Sequence, residues 1–270
     1  MRANGVNFPN IEYKETLHKV VGYFEDYPGV YAVVLIGSLA RGKAVKGSCI
    51  DLCIFLDEKG LKQLPFDRVS RVEAYARMNG HVCHHEGDVE GGILFGNIRV
   101  DIAFTDGNFK QHRENSFDIT RDEFETTVGN LLVYAVPQYE KDERYQALKN
   151  KYLPYYGEKL RKARLKGTSE EFRYKTWKTN WLAERDEYFA ALDALLEAQR
   201  IFLQHLFMKK KKYPIDYTKW LKEQCTQILA MPALYKELVS IVEGVYLTKN
   251  GIAEKTRFLE TLFEEYASAT

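Results

Sequence analysis

No stretch of this chain approaches the ~20 consecutive apolar residues that a bilayer-spanning helix needs. Nor does its N-terminus carry the basic head, apolar core and small-residue cleavage site of a leader. The expectation is a soluble, cytoplasmic chain with no membrane partner. Cysteine is scarce, four in 270 residues, and Cys49, Cys53, Cys83 and Cys225 have neither paired CxxC spacing nor a disulfide-like pattern, so reduced thiols are expected. Excess charge of either sign is missing too. The 39 Lys and Arg against 38 Asp and Glu leave a net +1, which argues against a broad basic surface and disfavours nucleic acid as a partner. The strongest charge run, Lys209-Lys210-Lys211-Lys212, closes a helical pattern, where cations suit the helix dipole. No internal repeat or low-complexity segment is evident.

What is present is enough apolar material for a substantial core, 45% hydrophobic with 29% charged. Helical spacing marks Ile11 to Tyr27 and about Phe66 to Met78. Short strands are expected over His81 to His85 and Gly92 to Phe95, with Gly96-Asn97 as a tight turn into a further strand. Beyond Asp106-Gly107 strand signals fade. Thr120 to Tyr134 opens on a capping box, Ala183 to Met208 reads as one long helix, and Tyr217 to Leu229 and Ile252 to Tyr266 continue the pattern. Pro214, Pro232 and Gly251 are expected breaks, and Lys166-Gly167-Thr168-Ser169 an internal loop. Phe202, Trp220 and Phe263 are expected in the core. The fold expected is α+β, a mixed sheet with flanking helices over residues 1–140 and a helical bundle over residues 141–270.

The most informative residues lie between Gly37 and Phe55. The run Val30 to Ile36 is apolar and rich in β-branched residues, a strand buried on both faces that stops at Gly37-Ser38. Glycine permits a sharp turn and a close backbone approach to a ligand, and a helical turn after it aims N–H groups at an anion. Ser38 adds a hydroxyl and Arg41 a cation. A strand from Ile50 to Leu56 places Asp51 on one face with Ile50, Leu52 and Ile54 on the other, and the strand Ile98 to Phe104 does the same for Asp101. Neighbouring strands could then present Asp51 and Asp101 to one cation beside phosphates.

This order of Gly37-Ser38, then Ser48 with Asp51-Leu52, then Asp101, resembles the DNA polymerase β-like nucleotidyltransferase superfamily. With its helical tail the chain is most similar to the small-molecule branch, the aminoglycoside and lincosamide nucleotidyltransferases. The resemblance implies a nucleoside triphosphate substrate, one or two Mg2+ ions and a small-molecule acceptor. It implies nucleotide contacts from Gly37, Ser38, Arg41 and Ser48, and metal binding and catalysis by Asp51 and Asp101. The family pattern has Ser-Asp-x-Asp-Leu, and Cys49 stands where its first Asp belongs. A thiol is a soft, mostly protonated group and a poor magnesium ligand. Three readings stay open: a weakened enzyme, a nucleotide-binding or protein-binding module without turnover, or a residue changed in this chain.

Acidic residues around such clefts bind cationic acceptors or supply a general base, so Glu86, Asp88 and Glu90 are acceptor candidates. Arg173, Lys178, Trp181, Arg185 and Asp186 mix charge with aromatic character, and Arg185 in particular is a candidate for acceptor contact. His81, Cys83 and His85 would share one strand face and raise a zinc question, but no second cluster completes the ligand set.

Overall fold

The computed structural model describes residues 2–3, 6–62, 83–86, 90–110 and 123–268. By internal contacts the chain forms two compact units, Met1–Phe109 with Asn130–Leu153, and Lys110–Gly129 with Pro154–Thr270. No helix among the described residues is long and apolar enough to cross a membrane.

The first unit is built on a mixed sheet. After a two-stranded hairpin, β1 (Arg2–Ala3) with β2 (Val6–Asn7), helix α1 (Ile11–Glu25) starts at Asn10, whose side chain accepts from the Tyr13 amide. Strand β3 (Val30–Ile36) runs into a single helical turn, α2 (Gly37–Ala40), followed by β4 (Ile50–Leu56), β5 (Cys83–Glu86), β6 (Glu90–Phe95), β7 (Ile98–Thr105) and β8 (Val136–Glu140). Among the described residues the sheet has the order β5-β6-β7-β4-β3-β8, antiparallel throughout except for the parallel pair β4 and β7.

Alternation fixes which side chains point where. Val33, Leu35, Leu52, Ile54, Val100, Ile102 and Phe104 form one core with Leu17, Val20, Val21 and Phe24 of α1. The opposite sheet face carries Tyr31 and Phe55, and Tyr145 of helix α4 (Arg144–Tyr152) packs edge-on against Phe55 with centroids 5.2 Å apart. The Tyr145 hydroxyl donates to the Leu131 carbonyl at 2.7 Å, which satisfies it inside the core. Asp51 and Asp101 belong to this second face.

The second unit is helical. Helix α3 (Phe124–Val128) brings in Glu125, fully buried, which takes both Nε and Nη2 of Arg164 at 2.6 and 2.7 Å and the Tyr156 hydroxyl at 2.7 Å. Such a paired, hydrogen-bonded charge is tolerable inside a protein, and removing one partner is not. Helices α5 (Glu158–Ala183), α6 (Tyr188–Lys209), α7 (Pro232–Val242) and α8 (Lys249–Ser268) enclose a core of Phe172, Leu195, Phe202, Leu206, Leu238 and Phe263. Phe172 and Phe263 stack at 4.0 Å.

The expected α+β class, with its mixed sheet, flanking helices and helical C-terminal region, is the fold found. Several local expectations differ. Residues 166–169 lie within α5 instead of a loop, because the buried Thr168 hydroxyl donates to the Arg164 and Leu165 carbonyls and meets His205 Nδ1 at 3.0 Å. That packing offsets the ~1 kcal/mol a helical glycine costs at Gly167. The expected helix from Ala183 is two helices. Ala183 closes α5, and Asp186 adopts a left-handed conformation with φ 61°, which its short polar side chain tolerates. Gly251 is inside the first turn of α8, where a Cβ would lie 2.4 Å from the Tyr246 carbonyl oxygen. Trp220 is 43% exposed, not core, and itself has φ 59°. The helix expected at 66–78 and residues 120–122 of the capping box lie outside the described residues.

Burial pushes the His205 imidazole down from 6.5 to about 4, with Lys209 adding to the effect. Between those values the unfolded chain binds a proton that the folded chain refuses, so stability is held above the ordinary histidine range and falls as pH drops through it. Urea midpoints measured from about pH 7 down to about pH 4 should decline more steeply for the natural chain than for His205→Leu; equal slopes would contradict this.

Candidate nucleotide and metal site

The site forms where β3 gives way to α2. Ile36 pairs with Asp51 across the antiparallel β3 and β4 ladder, and Asp51 pairs with Asp101 across the parallel β4 and β7 ladder. The two carboxylates therefore leave adjacent strands at the same level and on the same face. Oxygen atoms of Asp51 and Asp101 and the Cys49 sulfur all lie within 4.8 Å of one another, each half-buried.

Gly37 is required by geometry as well as by turn chemistry. Its φ is +68°, and a Cβ there would stand 2.0 Å from Asp51 Oδ2. The carboxylate thus fills the volume of the absent side chain, with the start of α2 directly beside it. Ser38 follows in α2, its carbonyl accepting from the Lys43 amide at 2.8 Å, and Arg41 caps the turn. Ser48 closes the loop before β4, where its hydroxyl accepts from the Val45 amide at 3.0 Å. Its carbonyl accepts from the Tyr13 hydroxyl at 2.9 Å, and that same hydroxyl accepts from the Gly47 amide at 3.2 Å. Tyr13 on α1 thereby pins the segment that delivers Cys49.

Electrostatics at the cluster are uneven. Partial burial pushes the Cys49 thiol up to about 11, reinforced by the Asp101 charge, a hydrogen bond to Asp101 and the Asp51 charge, with Arg99 opposing. A thiol pushed up in this way, and soft by nature, is a poor ligand for a hard cation. Arg99 Nε donates to Asp101 Oδ1, so one cation already faces the pair. Two carboxylates with open positions fit an oxygen-seeking divalent ion of the kind completed by substrate phosphates.

The structure therefore brings Gly37, Cys49, Asp51 and Asp101 together and sets Ser38 and Arg41 on the adjoining turn. Ser48 is engaged in its own loop. Glu86 and Glu90 are strand residues paired with each other across β5 and β6, since the hairpin extends to them. Glu90 is also opposite Ala103 of β7, and Asp101 is opposite Gly92. Asp88 and His81 lie outside the described residues, and Cys83 and His85 are placed on β5 by backbone alone. Arg185 belongs to the helical unit, just beyond α5, its guanidinium 4.6 Å from the Trp181 ring centroid. Sequence reading passed over Arg99 and Tyr13. Arg99 was findable, since residues two apart on a strand share a face with Asp101; Tyr13 gave no signal.

Residues 18–91 match the family model described as "Polymerase beta, Nucleotidyltransferase". The match takes in Gly37, Ser38 and Asp51, ends before Asp101, and supports the nucleotidyltransferase superfamily. A solved structure of a nucleotidyltransferase-like protein from Exiguobacterium sibiricum 255-15 is similar over 94% of this chain and 75% of that one, at 12% identity and a TM-score of 0.42. That likeness is too loose to bear on the chemistry. No curated protein matches the chain in sequence.

Gly37→Ala and Gly42→Ala make a controlled pair, since both glycines have φ +68° but nothing stands within 4 Å of a Cβ at Gly42. Gly42→Ala should cost about 1 kcal/mol in urea unfolding, from backbone strain alone. Gly37→Ala should cost at least about 2 kcal/mol because Asp51 must also move; equal costs would remove the Asp51 contact as the reason for glycine.

Proposed function

We propose that the chain is a nucleotidyltransferase that moves a nucleoside monophosphate from a nucleoside triphosphate to a hydroxyl of a small molecule, releasing pyrophosphate. The observation that carries this reading is the pair Asp51 and Asp101, side by side on β4 and β7 next to Gly37. Asp51 and Asp101 are the residues that would hold Mg2+, which when bound supplies neutralisation of triphosphate charge and a more acidic acceptor hydroxyl. Gly37 and Ser38 receive the terminal phosphates, Arg41 neutralises them, and Ser48 shapes the loop at the nucleotide. Asp101 also takes the proton of the acceptor hydroxyl as that oxygen bonds to the α-phosphorus and the bond to the β-phosphate oxygen breaks. Arg99 holds the Asp101 carboxylate in orientation until substrate arrives.

In this reading residues 1–140 carry the chemistry and residues 141–270 the acceptor site, with Arg185 on the helical part. Glu86 on β5 and Glu90 on β6, with Asp88 between them in sequence, suit a cationic acceptor such as a hydroxylated amine. The work is assigned to the cytoplasm, without nucleic acid or membrane as partner in the transfer step.

One observation favours a second reading. Cys49, protonated, sits against both carboxylates where the superfamily pattern has an acid, and a site short of one oxygen ligand could bind nucleotide without turning it over. Pyrophosphate release should be assayed with each of the common nucleoside triphosphates, Mg2+ and a panel of hydroxylated amines. The transfer reading expects release that falls about a hundredfold or more in Asp51→Asn and rises in Cys49→Asp. Magnesium-dependent nucleotide binding without release, unchanged by Cys49→Asp, would establish the module instead.

A further inference from the structure

Cys49 adds sulfur to a cluster from which magnesium would use oxygen alone. The residue immediately precedes β4, two places before Asp51, and the β4 and β7 ladder sets Asp101 beside Asp51. The Cys49 sulfur and one oxygen of each carboxylate lie within 4.8 Å of one another, and all three residues are half-buried. A tetrahedral zinc ion, with Zn–S about 2.3 Å and Zn–O about 2.0–2.2 Å, holds such atoms about 3.4–3.6 Å apart, so movements of little more than about 1 Å complete the set. Cys53 lies two residues further along the same face as Asp51 but is only 1% exposed, so the sulfur at hand is that of Cys49.

Each donor is held in place by its surroundings. The Tyr13 hydroxyl bonds the Gly47 amide and the Ser48 carbonyl, which fixes the backbone that delivers Cys49. Asp51 fills the volume that a side chain at Gly37 would take. Arg99 Nε donates to Asp101 Oδ1, the kind of outer contact that orients a ligating carboxylate. Three protein donors with a further position open is the arrangement of catalytic zinc. The donor types then choose among ions. Magnesium demands an octahedron of oxygens and gains nothing from sulfur, whereas zinc is borderline soft and takes thiolate and carboxylate together. We infer that Cys49, Asp51 and Asp101 form a three-donor site for a thiophilic divalent ion, zinc in preference to magnesium. When the ion binds, the thiol proton passes to water and the sulfur forms the bond to the metal. The charges that reach Cys49 are those of Asp101, Asp51 and Arg99. Three anionic donors against one guanidinium leave two negative charges, which a divalent ion cancels. The carboxylates that keep the proton on sulfur also draw in the cation, whose own charge then favours the thiolate. Zinc at this place excludes magnesium, so the two ions compete. The zinc site shares its two carboxylates with the transfer reading and needs nothing else from it.

Cobalt occupies zinc sites and absorbs in the near ultraviolet when a thiolate binds it, which gives a readout free of nucleotide and of turnover. Titrating Co2+ into the full reduced chain, stripped of metal by a chelator, should raise a thiolate-to-cobalt charge-transfer band that saturates at about one equivalent. One further equivalent of Zn2+ should erase the band, and a roughly hundredfold excess of Mg2+ should leave it. Cys49→Ser should remove it, while Cys83→Ser and Cys225→Ser keep it. Asp51→Asn and Asp101→Asn should each weaken cobalt binding by about tenfold or more, with circular dichroism showing the variants folded. Cys49→Asp should lose the band and reverse the preference, so that Mg2+ competes with Co2+ more strongly than in the natural chain. Because no triphosphate is present, a chain that releases no pyrophosphate can still show the band, and a working transferase can lack it. Four results would each overturn the zinc site: no band, a band that survives Cys49→Ser or is lost with Cys83 or Cys225, cobalt binding indifferent to both aspartate substitutions, or magnesium displacing cobalt as readily as zinc does.

Discussion

A carboxylate oxygen of Asp51 stands in the volume that any side chain at position 37 would occupy. The rest of the candidate site depends on that close approach. It brings the backbone at the start of α2 against an acid on the neighbouring strand, and the parallel pairing of β4 with β7 then adds Asp101 at the same level. Neither acid reaches this position through a flexible loop. Both are held by ladders whose alternate residues, Leu52, Ile54, Val100 and Ile102, are locked into the core beneath α1. A shift of one residue in either strand would turn the acid into that core and expose an apolar residue, so the stability of the sheet and the placement of the site are one constraint.

The same economy explains what surrounds the pair. Tyr13, from the helix that covers the far side of the sheet, fastens the loop at Gly47 and Ser48 and so fixes where Cys49 enters β4. Arg99, two residues before Asp101 on the same strand, balances part of the negative charge that two adjacent carboxylates accumulate. Cys49 contributes bulk and a protonated thiol to this cluster but no charge near neutrality. In the helical unit, polarity is handled differently. Glu125 and Arg164 are buried as a bidentate pair that also takes the Tyr156 hydroxyl.

Much of the sheet was legible because its signals are local. The β-branched run Val30 to Ile36, the alternation around Asp51 and Asp101, and the Gly96-Asn97 turn each encode one element and one orientation. The opposition of Asp51 and Asp101 was a conjecture from those orientations, since strand order is a property of pairing and not of either strand. The helical half was less legible because its decisive interactions are long-range. Gly167 looked like a loop residue until the Thr168 hydroxyl was seen against the α5 carbonyls and His205. The break after Ala183 depends on a left-handed Asp186, which an unbroken apolar periodicity conceals. Arg99 was missed through attention to acids alone, and Tyr13 because a hydroxyl that bonds a loop 34 or 35 residues away leaves no mark in spacing.

The central claim is that Asp51 and Asp101 jointly hold one divalent ion beside a bound triphosphate. Manganese, a spectroscopically visible substitute for magnesium, tests it most directly by electron paramagnetic resonance in the presence of a non-hydrolysable nucleoside triphosphate analogue. The account predicts a protein-bound signal beyond that of the manganese-nucleotide complex, lost in both Asp51→Asn and Asp101→Asn while the variants stay folded. A bound signal that survives both substitutions, or none in the natural chain, would contradict it.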